Sequence, residues 1–216
     1  MAVIRVRHHV NPLAEKYQEP VTVPDWRSIY AHPQHPLHVD IGCAKGIFLL
    51  QMAELQPEWN FLGLEIRRPL VLQAQHRQRQ AGLTNLHVMF ANANISFRSL
   101  ISHGEGCPPL QRVSIQFPDP WFKLRHHKRR VLQPQLVADL AAVLPVGGDV
   151  VIQSDVEAVA LDMVDRLTTG VAFSQDPPGW LDRSLFPAQT DRERVTLAQG
   201  LPVYRARFVK VASVDP

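Results

Sequence analysis

Residues 37–46 read Leu37-His38-Val39-Asp40-Ile41-Gly42-Cys43-Ala44-Lys45-Gly46, and the fold turns on how they are taken. A short apolar segment ends in an aspartate, a turn carrying two glycines follows, and a helical pattern runs on from Lys45 to Leu55. Glycine lets a backbone turn sharply and lets a ligand approach without meeting a Cβ. A nicotinamide-type fingerprint needs a third glycine three residues past the second. The spacing Gly42-x-Ala44-x-Gly46 fails that template, and any strand-to-helix turn can carry a glycine pair.

Outward from this unit the pattern repeats. Strands are predicted at Leu37–Ile41, Asn60–Glu65, Leu86–Ala91, Arg112–Phe117 and Asp149–Gln153. Helices are predicted between them, at Lys45–Leu55, Pro69–Ala81, Ile95–His103 and Gln133–Leu144, with a further one at Val156–Leu167. Alternation with long crossovers implies a Rossmann-like, doubly wound α/β fold: a mostly parallel sheet with helices on both faces. Val203–Val211 reads as a last strand, with Val171–Ser174 as a candidate partner. The segment before Leu37 differs, with Pro12, Pro20, Pro24, Pro33 and Pro36 and little periodicity. It predicts a flexible extension over 1–35 that wraps or dangles, and one domain over 36–216. A length of 216 residues fits a single core.

With 45% hydrophobic and 20% charged residues the chain reads as globular. No apolar run approaches the roughly 20 residues of a membrane span. Arg5, Arg7, His8 and His9 have no apolar stretch behind them, so no secretory signal is expected. Cys43 and Cys107 cannot make a disulfide framework, and a cytoplasmic location is the expectation. The net charge is only +3, but the placement of charge matters more. Lys123-Leu124-Arg125-His126-His127-Lys128-Arg129-Arg130 contains no acid. A sparser stripe, Arg67, Arg68, His76, Arg77 and Arg79, also lacks one. Such runs are often solvated faces, and they are also the footprint of a polyanion.

The predicted strand ends carry chemistry. Asp40, Glu65 and Asn92 stand at the ends of strands one, two and three, where ligands bind in open parallel sheets. Each of them alone can cap a helix or close a turn. Together they suit an adenosine with a charged amino-acid tail: Glu65 for ribose hydroxyls, Asn92 for an adenine edge, and Asp40 for an ammonium, directly or through water. That ligand is S-adenosylmethionine. Strand four ends in Phe117-Pro118-Asp119-Pro120-Trp121-Phe122-Lys123. Its prolines stiffen the backbone around Asp119, and Trp121 and Phe122 offer flat faces. The basic run follows at once.

Phe117-Pro118-Asp119-Pro120-Trp121 through Lys128-Arg129-Arg130 closely resembles the signature of the bacterial tRNA (guanine-N7-)-methyltransferases. From Leu37 onward nearly the whole chain shares the resemblance, including the glycine loop, Glu65, Asn92, Asp155, and Thr190-Asp191-Arg192-Glu193 in place of the family's Thr-x-x-Glu motif. It implies a class I methyltransferase sheet of seven strands with an antiparallel C-terminal strand. The implied reaction is methyl transfer from S-adenosylmethionine to N7 of guanine 46 in the tRNA variable loop. By the same resemblance Asp40, Gly42, Gly46, Glu65, Asn92 and Asp119 bind or frame the cofactor, Asp119 being catalytic. Lys123, Asp155, Thr190, Asp191, Arg192 and Glu193 contact the substrate, and Arg125, Lys128, Arg129 and Arg130 meet tRNA phosphates. The family commonly has Glu at the place of Asp40, Gly at Ala44, Asp at Asn92, and often an aromatic at Arg192. Rival readings are methylation of an exocyclic amine, whose turns usually read Asn/Asp-Pro-Pro-aromatic, and an RNA-binding scaffold without catalysis. Neither a metal nor a membrane partner is expected, since His8, His9, His126 and His127 lack a carboxylate partner in sequence. A monomer or a homodimer both fit.

Overall fold

The computed structural model describes residues 10–102 and 106–211. Arg5, Arg7, His8, His9 and His103 lie outside the described residues. In chain order the elements are β1 (Leu37–Ile41), α1 (Ile47–Leu55), β2 (Asn60–Glu65), α2 (Arg68–Ala81), β3 (Leu86–Phe90), α3 (Ala93–Ser102) and β4 (Leu110–Gln116). Then come α4 (Pro134–Val143), β5 (Asp149–Ser154), α5 (Glu157–Thr168), β6 (Phe173–Gln175), α6 (Asp191–Ala198) and β7 (Tyr204–Lys210). One seven-stranded sheet has the order β3-β2-β1-β4-β5-β7-β6. Strands β1 to β5 pair in parallel, and β7 runs antiparallel to both β5 and β6. Each crossover helix returns the chain to the same edge, so β1 to β4 all deliver their carboxyl ends to one rim.

β1, β2 and β5 are buried at every position, as strands covered by helices on both faces must be. On one face Leu37, Val39, Ile41, Val113 and Ile152 meet Phe97, Leu136, Leu140 and Met163 from α3, α4 and α5. On the other, Phe61 and Val151 pack with Phe48, Leu49 and Met52 of α1, Val71 of α2, and Phe186. Pro69 and Pro134 sit in the first turns of α2 and α4, where a missing N–H costs nothing.

Residues 10–35 lie along the first of these faces. Trp26 is fully buried, its Nε1 donates to Leu100 O at 3.2 Å, and it stacks on Tyr30 at 6.0 Å. The Tyr30 hydroxyl donates to Phe61 O at 3.0 Å, and Val21 N donates to Ser96 Oγ at 3.2 Å. Of the two courses expected for this segment, its described part wraps.

Three elements depart from the sequence reading. Thr190–Glu193, expected as a segment before the last strand, opens helix α6: the Thr190 Oγ1 accepts from Glu193 N at 3.0 Å. Thr at the cap and Glu three residues on are a helix start signal, but α6 has only Glu193 and Thr196 buried and so no apolar stripe to betray it. The basic run is a 3₁₀ helix, Leu124–Arg129. The partner of β7 is Phe173–Gln175, so the expected Val171–Ser174 shifts along the chain, with Val171 85% exposed. Other boundaries move by one or two residues.

Candidate active site

A cavity of about 780 Å³, including its open mouth, lies at the carboxyl ends of β1 to β4. Gly42, Glu65, Asn92 and Asp119 line it, as do Arg67, Asn94, Gln116, Trp121 and Arg129. The approach of the chain to it is strained. Among the described residues three non-glycines have left-handed backbone, Ala44 (φ 50°), Phe117 (φ 48°) and Trp121 (φ 45°). All three belong to the loops after β1 and β4, and each such residue costs on the order of 1–3 kcal/mol.

Glu65 ends β2 almost wholly buried and fully bonded. Its Oε1 accepts from Arg67 N at 2.8 Å and Arg67 Nε at 2.9 Å, and its Oε2 from Ala44 N at 3.0 Å and Arg67 Nη2 at 3.1 Å. A carboxylate offers about four such places, and Arg67 takes three. The Asp119 carboxylate also acts on this guanidinium. Arg67, grouped by sequence with the basic stripe, belongs to the cavity instead.

Asp40 lies beneath the cavity wall, 4% exposed. Ser114 Oγ donates to its Oδ1 at 2.6 Å and Gln116 Nε2 donates to the same oxygen at 3.1 Å. Burial pushes the Asp40 carboxyl up to about 6; its two hydrogen bonds pull the other way, and the nearby Glu65 charge adds to the rise. Behind Ser114 stands His38 Nε2 at 2.8 Å. The Ser114 proton goes to Asp40, so the imidazole is the donor in that pair.

Gly46 does not line the cavity. A Cβ there would meet Ala74 Cβ at 2.9 Å, so this glycine lets α1 and α2 close together behind the loop. Asn92 hooks the N-terminal segment, its Nδ2 donating to Pro12 O at 3.3 Å and Tyr17 O at 3.0 Å. Val10 and Pro12 consequently form part of the cavity wall. Asn94 donates from Nδ2 to Val131 O at 2.7 Å, while its Oδ1 is buried with no hydrogen-bond partner among the described residues. The same holds for Arg129 Nε. Both atoms are closed off from solvent, in residues that line the cavity.

Trp121 is held between Arg129, whose Cζ lies 5.0 Å from the ring centre, and the edge of His126 at 5.8 Å. Lys123, Arg125 and Lys128 are exposed, together with Phe122 (74%) and Leu124 (81%). Arg130 is not with them. It is buried, donating from Nε to Pro120 O at 3.0 Å and pairing with Asp162 at 3.3 Å, and so braces the Pro118-Asp119-Pro120 turn from behind.

The Thr190 segment sits beside this site, past the end of β5. Arg192 Nε donates to Asp155 Oδ2 at 2.7 Å, and Arg194 Nη2 to Asp191 at 2.6 Å. Glu193 is 1% exposed, and Arg205 Nη2 donates to its Oε1 at 2.7 Å. Gln153 Nε2 reaches its Oε2 at 3.3 Å and Gln116 Oε1 at 2.7 Å. None of Asp155, Thr190, Asp191, Arg192 and Glu193 lines the cavity. Gln116 and Gln153 went unread in the sequence. They are register partners on β4 and β5, and only the pairing of those strands brings them together.

A seven-stranded sheet with its last strand reversed, and a cavity where a carboxylate ends β2, define the methyltransferase class. Solved methyltransferases share this fold. The antibiotic-resistance methyltransferase Kmr superposes with a TM-score of 0.58 at 17% identity, covering 90% of this chain and 96% of that one. The aminoglycoside-resistance methyltransferase NpmB1 gives 0.55 at 14%, covering 88% and 95%. Residues 34–206 match the family model described as "Putative methyltransferase", and the chain belongs to that family. Relatives called tRNA (guanine-N(7)-)-methyltransferase are 53% identical in Trichormus variabilis, over 97% of both chains, and 54% in a Nostoc species, over 95% of this chain and 94% of that one.

Proposed function

We propose that this chain transfers the methyl group of S-adenosylmethionine to N7 of a guanine in tRNA, at position 46 of the variable loop. The observation that carries the reading is the Pro118-Asp119-Pro120-Trp121 turn, which holds a carboxylate and an indole on the cavity wall directly before exposed cations. Full-length kinship with relatives of that name supports it. The cavity's polar groups fit the cofactor, whose bound sulfonium supplies an electrophilic methyl. Glu65 accepts the ribose hydroxyls in exchange for bonds now made by Arg67. Asp40 sets the negative potential beneath the amino-acid tail.

Guanine N7 has an in-plane lone pair and no proton, so no general base is needed. Alignment supplies most of the rate. Positive charge grows on the base as the methyl moves, and Asp119 faces it with a fixed carboxylate. Lys123, Arg125 and Lys128 would meet phosphates, while Phe122 and Leu124 offer apolar faces to bases exposed as the guanine leaves its tertiary pairing. Asp155 and the Thr190–Glu193 turn would border the substrate from the β5 side. We place this work in the cytoplasm, by a monomer or a homodimer.

Incubating the protein with tRNA and cofactor, then digesting to nucleosides, should yield N7-methylguanosine, with aniline-induced cleavage at position 46. Appearance of N6-methyladenosine or N2-methylguanosine alone would overturn the reading.

A further inference from the structure

We propose that Gln116 and Gln153 form a relay through which a ligand in the cavity and RNA on helix α6 favour each other's binding. The inference rests on the function proposed above for the identity of both ligands. Its physical content is one continuous row of hydrogen bonds crossing the sheet. Gln116 Nε2 donates to Asp40 on β1 at 3.1 Å, and Gln153 Nε2 on β5 donates to Gln116 Oε1 at 2.7 Å and to Glu193 on α6 at 3.3 Å. Arg205 on β7 closes the row with Nε and Nη2 on Glu193 Oε1, at 3.2 and 2.7 Å. Every member is buried: Asp40, Gln116, Gln153, Glu193 and Arg205.

The chemistry of the ends fixes the orientation of the middle. Asp40 and Glu193 as carboxylates only accept, so each glutamine must turn its NH₂ towards its acid. With its NH₂ on Asp40, Gln116 presents its carbonyl oxygen to Gln153, and Gln153 spends both N–H donors, one on each neighbour. No amide can turn without unsatisfying the next, and a buried unsatisfied group is costly. Only Gln116 lines the cavity. A ligand packed against it restrains the whole row, out to the residue whose carboxylate ties α6 to the sheet. Besides that tie α6 has the more exposed Arg192–Asp155 pair and little else, with only Glu193 and Thr196 buried. Ordering of α6 by the first ligand is ordering the second need not supply, which is positive coupling without a change of fold. Gln116 and Gln153 are thus positioning residues: they need touch no reacting atom.

The test measures tRNA affinity with and without saturating S-adenosylhomocysteine, which keeps the adenosine and amino-acid tail but cannot react. Wild type should bind tRNA roughly 5-fold tighter or more with it, and by linkage tRNA should tighten S-adenosylhomocysteine by the same factor. Gln153→Met keeps the length and removes the bonds. It should bring both ratios to about one, with each ligand's separate affinity changed by no more than about 3-fold. A wild-type ratio of one, or an unchanged ratio in Gln153→Met, overturns the relay. Should Gln153→Met fail to fold, Gln153→Asn, one methylene shorter and away from the cavity lining, opens the same links and is read in the same way. Hydrogen exchange of α6 amides provides an arm without RNA: S-adenosylhomocysteine should slow it in wild type and not in the variant. If that holds while tRNA is neither bound nor methylated, the relay stands and the functional reading falls. If exchange in α6 ignores the ligand, the relay itself is wrong.

Discussion

At the scale of single residues the most consequential choice is to bury Asp40 as an acid. Its folded-state value of about 6 lies above the 3.8 of an unstructured aspartate, so the folded chain holds this proton more tightly than the unfolded one. Asp40 therefore costs the fold nothing below about pH 4, and stability falls as pH rises through 6, by ~3 kcal/mol in all. Both of its hydrogen bonds end on Oδ1, which Asn can reproduce. Asp40→Asn should accordingly melt several degrees higher than wild type at pH 8, lose that advantage by pH 4, and bind cofactor more weakly. Melting curves across this range with calorimetric cofactor titration check both halves; an unchanged melting temperature at pH 8 would show that Asp40 bears no such cost. Glu65 and Asp119 should separate in kinetics. Ribose hydroxyls look alike in ground and transition states, so Glu65→Ala should mainly raise KM for cofactor. Asp119→Asn keeps the shape and loses the charge, and should lower kcat by roughly 30- to 1,000-fold, ~2–4 kcal/mol. A wild-type kcat in Asp119→Asn at saturating substrates would reduce Asp119 to a turn residue.

Among the elements, the 3₁₀ helix at Leu124–Arg129 sorts a uniform run of cations into different trades. Lys128 faces solvent, Arg129 lies on Trp121, and Arg130 turns inward to Pro120 and Asp162. Replacing Lys123, Arg125 and Lys128 together by Ala should flatten the log–log salt dependence of tRNA binding by roughly one unit or less per lost phosphate contact. Cofactor affinity should stay as it was, and an unaltered salt slope would make these cations a bare solvated face. Composition showed the run but not this sorting, because helix direction decides which stem points inward. Legibility elsewhere follows the same logic. Glu65 and Asn92 were readable because a strand end fixes a residue's place by its position along the chain. Gln116 and Gln153 were not, since their meeting depends on β4 lying beside β5, a fact of strand order. Arg67 was misgrouped because the stripe was read from charge alone, while its partner, Glu65, stands two residues before it on the end of a strand. Helix α6 escaped because a helix held by a buried ion pair and a cap needs no apolar stripe.

For the molecule as a whole, the chain before β1 behaves as part of the body. Trp26 fills the core at 0% exposure, with its N–H paired to Leu100. Trp26→Ala should cost ~3–5 kcal/mol, which in a chain of this size lowers the melting temperature by roughly 10 °C. A loss under about 1 kcal/mol in denaturant titrations would make the wrapping segment dispensable to stability. At the amino ends of β4 and β5, Asp149 pairs with both Arg112 and Arg207, at 2.7 and 2.9 Å, and the charges there are mutually satisfied. At the carboxyl ends Glu65, Arg67 and Asp119 line the cavity instead, and these are the charges a ligand there would meet.

The hook from Asn92 to Pro12 and Tyr17 has a practical consequence at the bench. Val10 lies on the cavity wall, so an affinity tag or fluorescent fusion joined directly to Val10 is an edit to the ligand's doorway. The reversed last strand leaves by the other side, since Val209 pairs with Asp149 at the opposite end of the sheet. Bead capture or dye labelling from that side leaves the doorway clear. Cofactor affinities measured on fusions joined at Val10 and at the C-terminal side should therefore disagree, with the latter value matching untagged protein.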